Sequence, residues 1–164
     1  MLKPNKKKTG AKSAGKRFVI IASRYNAKYV DSMLKAAVAT LRAGGPCEVE
    51  VIRVPGAFEI PVVASQLAHS APDAPDAIVC LGVIIQGETT HAEHIGRAIT
   101  DALMHLQIGY RIPCVHEVLL VQNESQAKAR CLDPKTNRGV EAAQTAMVMA
   151  QTLGELRERN RLPF

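Results

Sequence analysis

The stretch from Val79 to Arg97, VCLGVIIQGETTHAEHIGR, decides how the chain is read. It begins inside an apolar, β-branched run (AIVCLGVII, 77–85), breaks at Gly87 and offers Thr89 and Thr90. It then enters a charged pattern of helical period that carries His91 and His94. A buried strand that ends in Gly-Glu-Thr-Thr-His just before a helix marks the usual place for a site in an open α/β sheet, outside the carboxyl ends of the strands. Free backbone N–H groups at the helix start hold an anion well, and His91 beside them can move protons at neutral pH.

Working outward, FVIIAS (18–23) reads as a buried strand that ends at Arg24-Tyr25-Asn26, with Asn26 placed to cap the next helix. From Ala27 to Ala43 the apolar residues Val30, Met33, Leu34, Ala37, Val38 and Leu41 recur at three and four positions, and Gly44-Gly45-Pro46 closes the helix. VEVIRV (49–54) is a second strand. A helix from about Phe58 to His69 follows, with Pro61 tolerated in its first turn. Downstream come a helix over 92–108, the strand CVHEVLLV (114–121), a short helix over 124–131, and a last amphipathic helix from Gly139 to about Glu158. Strands alternating with helices imply an α/β fold: a flavodoxin-like three-layer sandwich, with a four-stranded parallel sheet and helices on both faces. A single domain is expected over 18–158, flanked by tails at 1–17 and 159–164.

The totals suit that picture. A chain of 164 residues with 47% hydrophobic content fits one soluble domain with a sizeable core. No apolar run approaches the roughly 18 residues of a membrane span, and the basic N-terminus leads into a strand rather than a secretory h-region. Cys47, Cys80, Cys114 and Cys131 are scattered, and Cys80 and Cys114 sit in apolar runs, which suits free thiols in a reduced, cytoplasmic protein. The net charge of +6 is local. Residues 1–17 hold seven basic side chains and no acid, so the chain from Phe18 onward sums to about −1. Such a tail reads as a solvated, disordered arm, and nucleic acid is expected, if anywhere, on the tail alone.

Each candidate residue also has an ordinary explanation. Phe58, after Pro55-Gly56 at a strand end, suits either stacking on a planar heterocycle or covering the sheet edge. Glu59 at a helix start answers the helix dipole. Gly87-Glu88-Thr89-Thr90 has the form of an anion nest, and the planar fork of Arg130 in QAKAR suits a phosphate. His91, Glu93 and His94 lack a third ligand at metal-site spacing, so no metal is expected. There is no GxGxxG, P-loop lysine, GxSxG elbow or Cys–His nucleophile pattern. Spacing therefore gives a phosphate-and-ring site with a histidine, and no named reaction.

Four segments carry a resemblance. VPGAFEIP (54–61), LGVIIQGETTH (81–91), QAKAR (126–130) and NRGVEAA (137–143) are similar, in one consistent order, to signature segments of the 6,7-dimethyl-8-ribityllumazine synthase family. The likeness runs from about Phe18 to Leu153. It implies condensation of 5-amino-6-(D-ribitylamino)uracil with 3,4-dihydroxy-2-butanone 4-phosphate, a step of riboflavin biosynthesis that needs neither cofactor nor metal. By position, it implies that Phe58 stacks on the pyrimidine, with Tyr25 as a second aromatic. Ala57, Glu59, Val83, Ile84, Ile85 and His116 are implied to bind the pyrimidine and ribityl chain. Glu88 and Thr89, through backbone N–H groups, and Arg130 are implied at the phosphate, with Arg138 at a further basic position, and His91 as the proton carrier. It also implies a homo-oligomer with sites between subunits: a pentamer, a decamer or a sixty-subunit shell. Riboflavin synthase is the implied partner enzyme. Departures are Ala92 after the catalytic histidine, Gln86 where arginine is frequent, and His116-Glu117 where Phe-Gly or Asn-Gly is frequent. The alternatives to catalysis are a non-catalytic flavin- or lumazine-binding module and a shell-forming paralogue.

Overall fold

The four apolar runs become four parallel strands, and their burial follows from their place in the sheet. A computed structural model of the chain describes residues 10–70 and 72–159. In it β1 (Arg17–Ser23), β2 (Glu48–Val54), β3 (Ala77–Ile85) and β4 (Cys114–Val121) form one sheet of order β2-β1-β3-β4. The central strands are covered on both faces, so β1 from Phe18 onward and β3 as far as Val83 are buried throughout. Edge strand β2 is open to solvent instead, with Glu48, Glu50 and Val51 exposed and only Val54 buried.

The side chains of β1 divide between two cores. Phe18, Ile20 and Ala22 face α1 (Ala27–Ala43) and α5 (Arg138–Arg159), whereas Val19 and Ile21 face α2 (Ile60–His69) and α3 (His91–Tyr110). α4 (Glu124–Cys131) adds Ala127 and Cys131 to the first core. This is the three-layer α/β sandwich expected from the sequence.

Local details differ from the expectation. A 3-10 turn over Ala57–Glu59 precedes α2, and α3 begins at His91 itself. Asn26 does not cap α1 with its side chain. It lies in the left-handed region (φ 56°), where asparagine is tolerated, and its Nδ2 donates to the carbonyl of Val83 at 2.8 Å. Of the basic N-terminal segment, residues 1–9 lie outside the described residues. Ser13 is buried with its hydroxyl donating to Leu41 O at 2.7 Å, Gly15 N–H reaches Pro46 O, and Lys16 pairs with Asp76 at 3.3 Å. Residues 160–164 likewise lie outside the described residues. No helix among the described residues is long and apolar enough to cross a membrane. Cys80, Cys114 and Cys131 are buried and unpaired, and burial pushes the Cys114 and Cys131 thiols up to about 12.

Candidate active site

Three strand ends converge because the chain must turn there without a ladder partner. After β1, Arg24 N–H donates to Val54 O at 2.8 Å and Tyr25 N–H to Pro55 O at 3.0 Å, which fastens the β1 exit to the β2 exit. The Asn26–Val83 bond fastens the same exit to β3. Gly82 lets the 3-10 turn come close, since a Cβ there would lie 3.2 Å from the Cβ of Ala57 and 3.1 Å from Val118. The Glu59 carboxylate then accepts from Gly56 N–H at 2.8 Å, holding the turn that presents Phe58.

Between these exits and the start of α3 lies a cleft of about 470 Å3. Tyr25, Ala57, Phe58, Val83, Ile84, Ile85, Thr89 and His91 line it, all of them expected from the sequence. Gly56, Gly87 and Ala92 line it too, together with Asn26, expected only as a helix cap, and Ile95, which the sequence does not mark. The contacts of Asn26 and Ile95 depend on how the strand exits fold back, and no local pattern marks them. The Tyr25 ring is 74% exposed and the Phe58 ring 60%, in a chain with three phenylalanines and no tryptophan. Large apolar rings held at a cleft mouth suit a planar ligand better than they suit the core.

The opposite wall is the segment from Gln86 to His91. Gln86 N–H donates to Val121 O at 2.8 Å, and its side-chain Nε2 donates to Gly87 O at 3.2 Å and Thr89 O at 2.8 Å. The backbone N–H groups of Glu88, Thr89 and Thr90 have no acceptor among the described residues. Together with the positive end of α3, such free donors suit an anion near the start of the helix that carries His91.

Five expected residues do not line this cleft. Glu59 is engaged with Gly56, and Glu88 is exposed outside the lining. Arg130, on α4, turns back toward the carbonyl of Gln126 on its own helix at 3.4 Å. His116 on β4 is half-buried beside α3, with Nε2 2.9 Å from Thr100 Oγ1. That hydroxyl donates to Gly96 O, so the proton between the pair belongs to His116 Nε2. Desolvation lowers the His116 pKa, against a smaller raising effect of a backbone hydrogen bond. Arg138, at the start of α5, donates to both Glu117 oxygens at 2.8 and 3.1 Å and to Glu141 at 2.5 Å. Among the described residues no three His, Cys, Asp or Glu side chains group to hold a metal ion.

The cleft can therefore hold a planar ring against Phe58 and an anion against the α3 start, with an imidazole in the same lining. Comparison with known proteins agrees with that chemistry. The family model described as 6,7-dimethyl-8-ribityllumazine synthase matches residues 15–154. A protein of that name from Stenotrophomonas maltophilia (strain R551-3) is 39% identical over 142 residues, 85% of this chain and 90% of the relative. One from Xylella fastidiosa (strain 9a5c) is 38% identical over 145 residues, covering 87% and 93%. One from Xanthomonas campestris pv. campestris (strain B100) is 37% identical over 139 residues, covering 84% and 89%. With the match spanning all four strands and every wall of the cleft, the chain belongs to the 6,7-dimethyl-8-ribityllumazine synthase family.

Proposed function

We propose that this protein catalyses the condensation of 5-amino-6-(D-ribitylamino)uracil with 3,4-dihydroxy-2-butanone 4-phosphate, releasing phosphate and water and forming 6,7-dimethyl-8-ribityllumazine for riboflavin biosynthesis. The observation that carries this reading is the cleft itself, with a ring-stacking wall at Phe58 and Tyr25, an anion wall at Gly87–Thr90 and His91 in the same lining. The two substrates need those two walls. Holding them together supplies much of the rate, because imine formation and ring closure become intramolecular steps.

In this reading Phe58 stacks on the pyrimidine. Ala57, Val83, Ile84 and Ile85 enclose the ring and ribityl chain, partly through backbone groups, and Glu59 holds the turn. The N–H groups of the 88–90 segment bind the phosphate, and His91 transfers protons during loss of phosphate and closure of the second ring. His116 and Arg130, which do not reach their own chain's cleft, serve that of a neighbouring subunit. The exposed rings at the cleft mouth support such an assembly: a pentamer with sites between subunits, alone or built into a decamer or shell. Arg138 is the least favoured phosphate ligand, because its donors face two carboxylates. The enzyme works in the cytoplasm, needs no cofactor, and hands its product to riboflavin synthase. The non-catalytic binder and the scaffold are not favoured: the family and the named relatives are synthases.

The test is turnover. Purified protein mixed with both substrates is followed by absorbance in the lumazine band, with His91→Ala and Arg130→Ala alongside. Product from the wild type, about 10- to 1000-fold slower turnover for His91→Ala and a raised requirement for the phosphate substrate in Arg130→Ala are expected. Absence of product from the wild type overturns the enzyme. A loss below threefold in His91→Ala removes that residue from its role.

A further inference from the structure

We infer that Gln86 is a positioning residue for the phosphate: it turns the Glu88 and Thr90 backbone N–H groups toward the cleft by holding the carbonyls of the two preceding residues. The inference rests on the proposed function, since it assumes that the anion at this wall is the substrate's phosphate.

The argument begins with the peptide bond. In a trans peptide, the C=O of one residue and the N–H of the next lie in one plane and point in opposite directions. Gln86 Nε2 takes Gly87 O at 3.2 Å and Thr89 O at 2.8 Å. The N–H groups of Glu88 and Thr90 must then point away from the Gln86 side chain. Gly87, Thr89 and His91 line the cleft and Gln86 does not, so away from Gln86 is toward the cleft, which Glu88 and Thr90 then meet through their peptide N–H groups and not their side chains. Neither N–H has an acceptor among the described residues. Thr90 thereby joins Glu88 as an oriented donor, a role its threonine type alone does not reveal.

The chemistry of the side chain fits a clip. Both neighbours are carbonyl oxygens, so only the NH2 end of the carboxamide can face them. The other end, Oε1, is buried and has no donor among the described residues. An unpaired buried acceptor is costly, and its retention calls for a reason beyond folding. Two donors at one atom, set behind a loop whose carbonyls would otherwise be free to turn, supply that reason. The backbone of Gln86 is itself fixed, its N–H held by Val121 O at 2.8 Å, so the clip has a rigid base on the β3–β4 pair.

The experiment uses the full chain with Gln86→Met, which keeps length and removes both donors, and Gln86→Glu, which sets a carboxylate against the two carbonyls. The readouts are KM for each substrate, kcat, and the inhibition constant of inorganic phosphate. Gln86→Met is expected to raise the KM of the phosphate substrate and the phosphate inhibition constant about tenfold, as suits weakened hydrogen bonds to a charged group, with the pyrimidine KM within twofold. Gln86→Glu is expected to lose more than Gln86→Met. If inorganic phosphate competes in the wild type but its inhibition constant is unchanged in both variants, the positioning role is overturned while the phosphate wall stands. The role is also overturned if both KM values rise together, since Gln86 then only supports the fold. If phosphate does not compete with the phosphate substrate in the wild type, the reading of the wall fails first and takes the clip with it.

Discussion

The two helical layers cover the same sheet and are built to different ends. In the α1–α5 layer the face toward the sheet is closely packed, although α5 leaves Val148, Met149 and Leu156 exposed. Ala142, Ala143, Ala146 and Ala150 bring α5 close to the sheet, and Gly139 sits against the backbone of Met33. Ser32 and Asn137 both donate to the carbonyl of Cys131, which bolts α4 to its neighbours. The α2–α3 layer buries a comparable core around Ile60, Ile99 and Leu103 but leaves Val62, Met104, Ile108 and Tyr110 exposed, with Phe58 exposed at the cleft just ahead of α2. Both layers expose some apolar side chains, but the first is marked by the close approach of Gly139 to the Met33 backbone and the second by the ring-lined cleft at its edge. Stability should therefore be most fragile on the first side and binding on the second.

The sharpest way to break the closed layer is Gly139→Ala. A Cβ there runs into the Met33 carbonyl, which is backbone and cannot rotate aside, so α5 must leave α1. A loss beyond about 4 kcal/mol, or failure to fold, is expected in urea unfolding. Gly87→Ala, whose new Cβ meets nothing within 4 Å, should stay within about 0.5 kcal/mol. Equal losses in the two would mean that the closed layer is no tighter than the loop. Next in size is Arg138→Met, which strands the Glu117 carboxylate, 5% exposed, without its two-pronged partner. About 3 kcal/mol should be lost. A loss under 1 kcal/mol would show that the pair holds nothing.

How far the sequence was readable divides along the same lines. Strands and helices were legible because burial on both faces or on one stripe leaves a period in the chain, as in AIVCLGVII and in the 27–43 helix. Much of the cleft lining was legible as well, since it is the set of strand exits plus one helix start, whereas Val83 and Ile84 came only from the resemblance. What period cannot carry is pairing between distant residues. Asn26 looks like a cap until the exit of β3, 57 residues on, supplies a carbonyl. Arg138, implied by the resemblance at a basic position, has its donors on Glu117, 21 residues earlier, a pairing no local pattern announces. The Gln86 clip is local in sequence, yet the turn of the 87–89 carbonyls leaves no trace in composition. The resemblance placed residues by position, and such positions carry over the backbone sooner than the side-chain partners.

On the open side, Phe58→Ala sharpens the comparison by separating binding from folding. The ring is mostly exposed, so unfolding should shift by less than about 0.5 kcal/mol. Under the proposed function, the KM for the pyrimidine substrate should rise about tenfold, the scale of one lost stacking contact. If stability fell and affinity held, Phe58 would belong to the core and the two layers would differ less than argued.

The smallest expected effect tests the polar seam of the closed layer and has a sign that a pH series can read. Burial raises the Glu117 carboxyl above the ordinary carboxylate range, while Arg138 pulls it part of the way back. A group whose pKa is raised on folding gives its full stabilisation while protonated, below its unfolded value. That stabilisation fades as pH rises through the raised folded value. Ionised Glu117 is therefore a net cost to the fold near neutral pH, even with the arginine beside it. Glu117→Gln keeps an acceptor for Arg138 and removes the charge, so it should lie within about 1 kcal/mol of the wild type at pH 7. The difference, variant minus wild type, should grow more favourable to the variant from about pH 4 to pH 7. A wild type that instead gained on the variant over that range would mean that the ion pair outweighs its desolvation. The seam would then be a source of stability, and the Arg138→Met loss would measure the pair rather than a stranded charge.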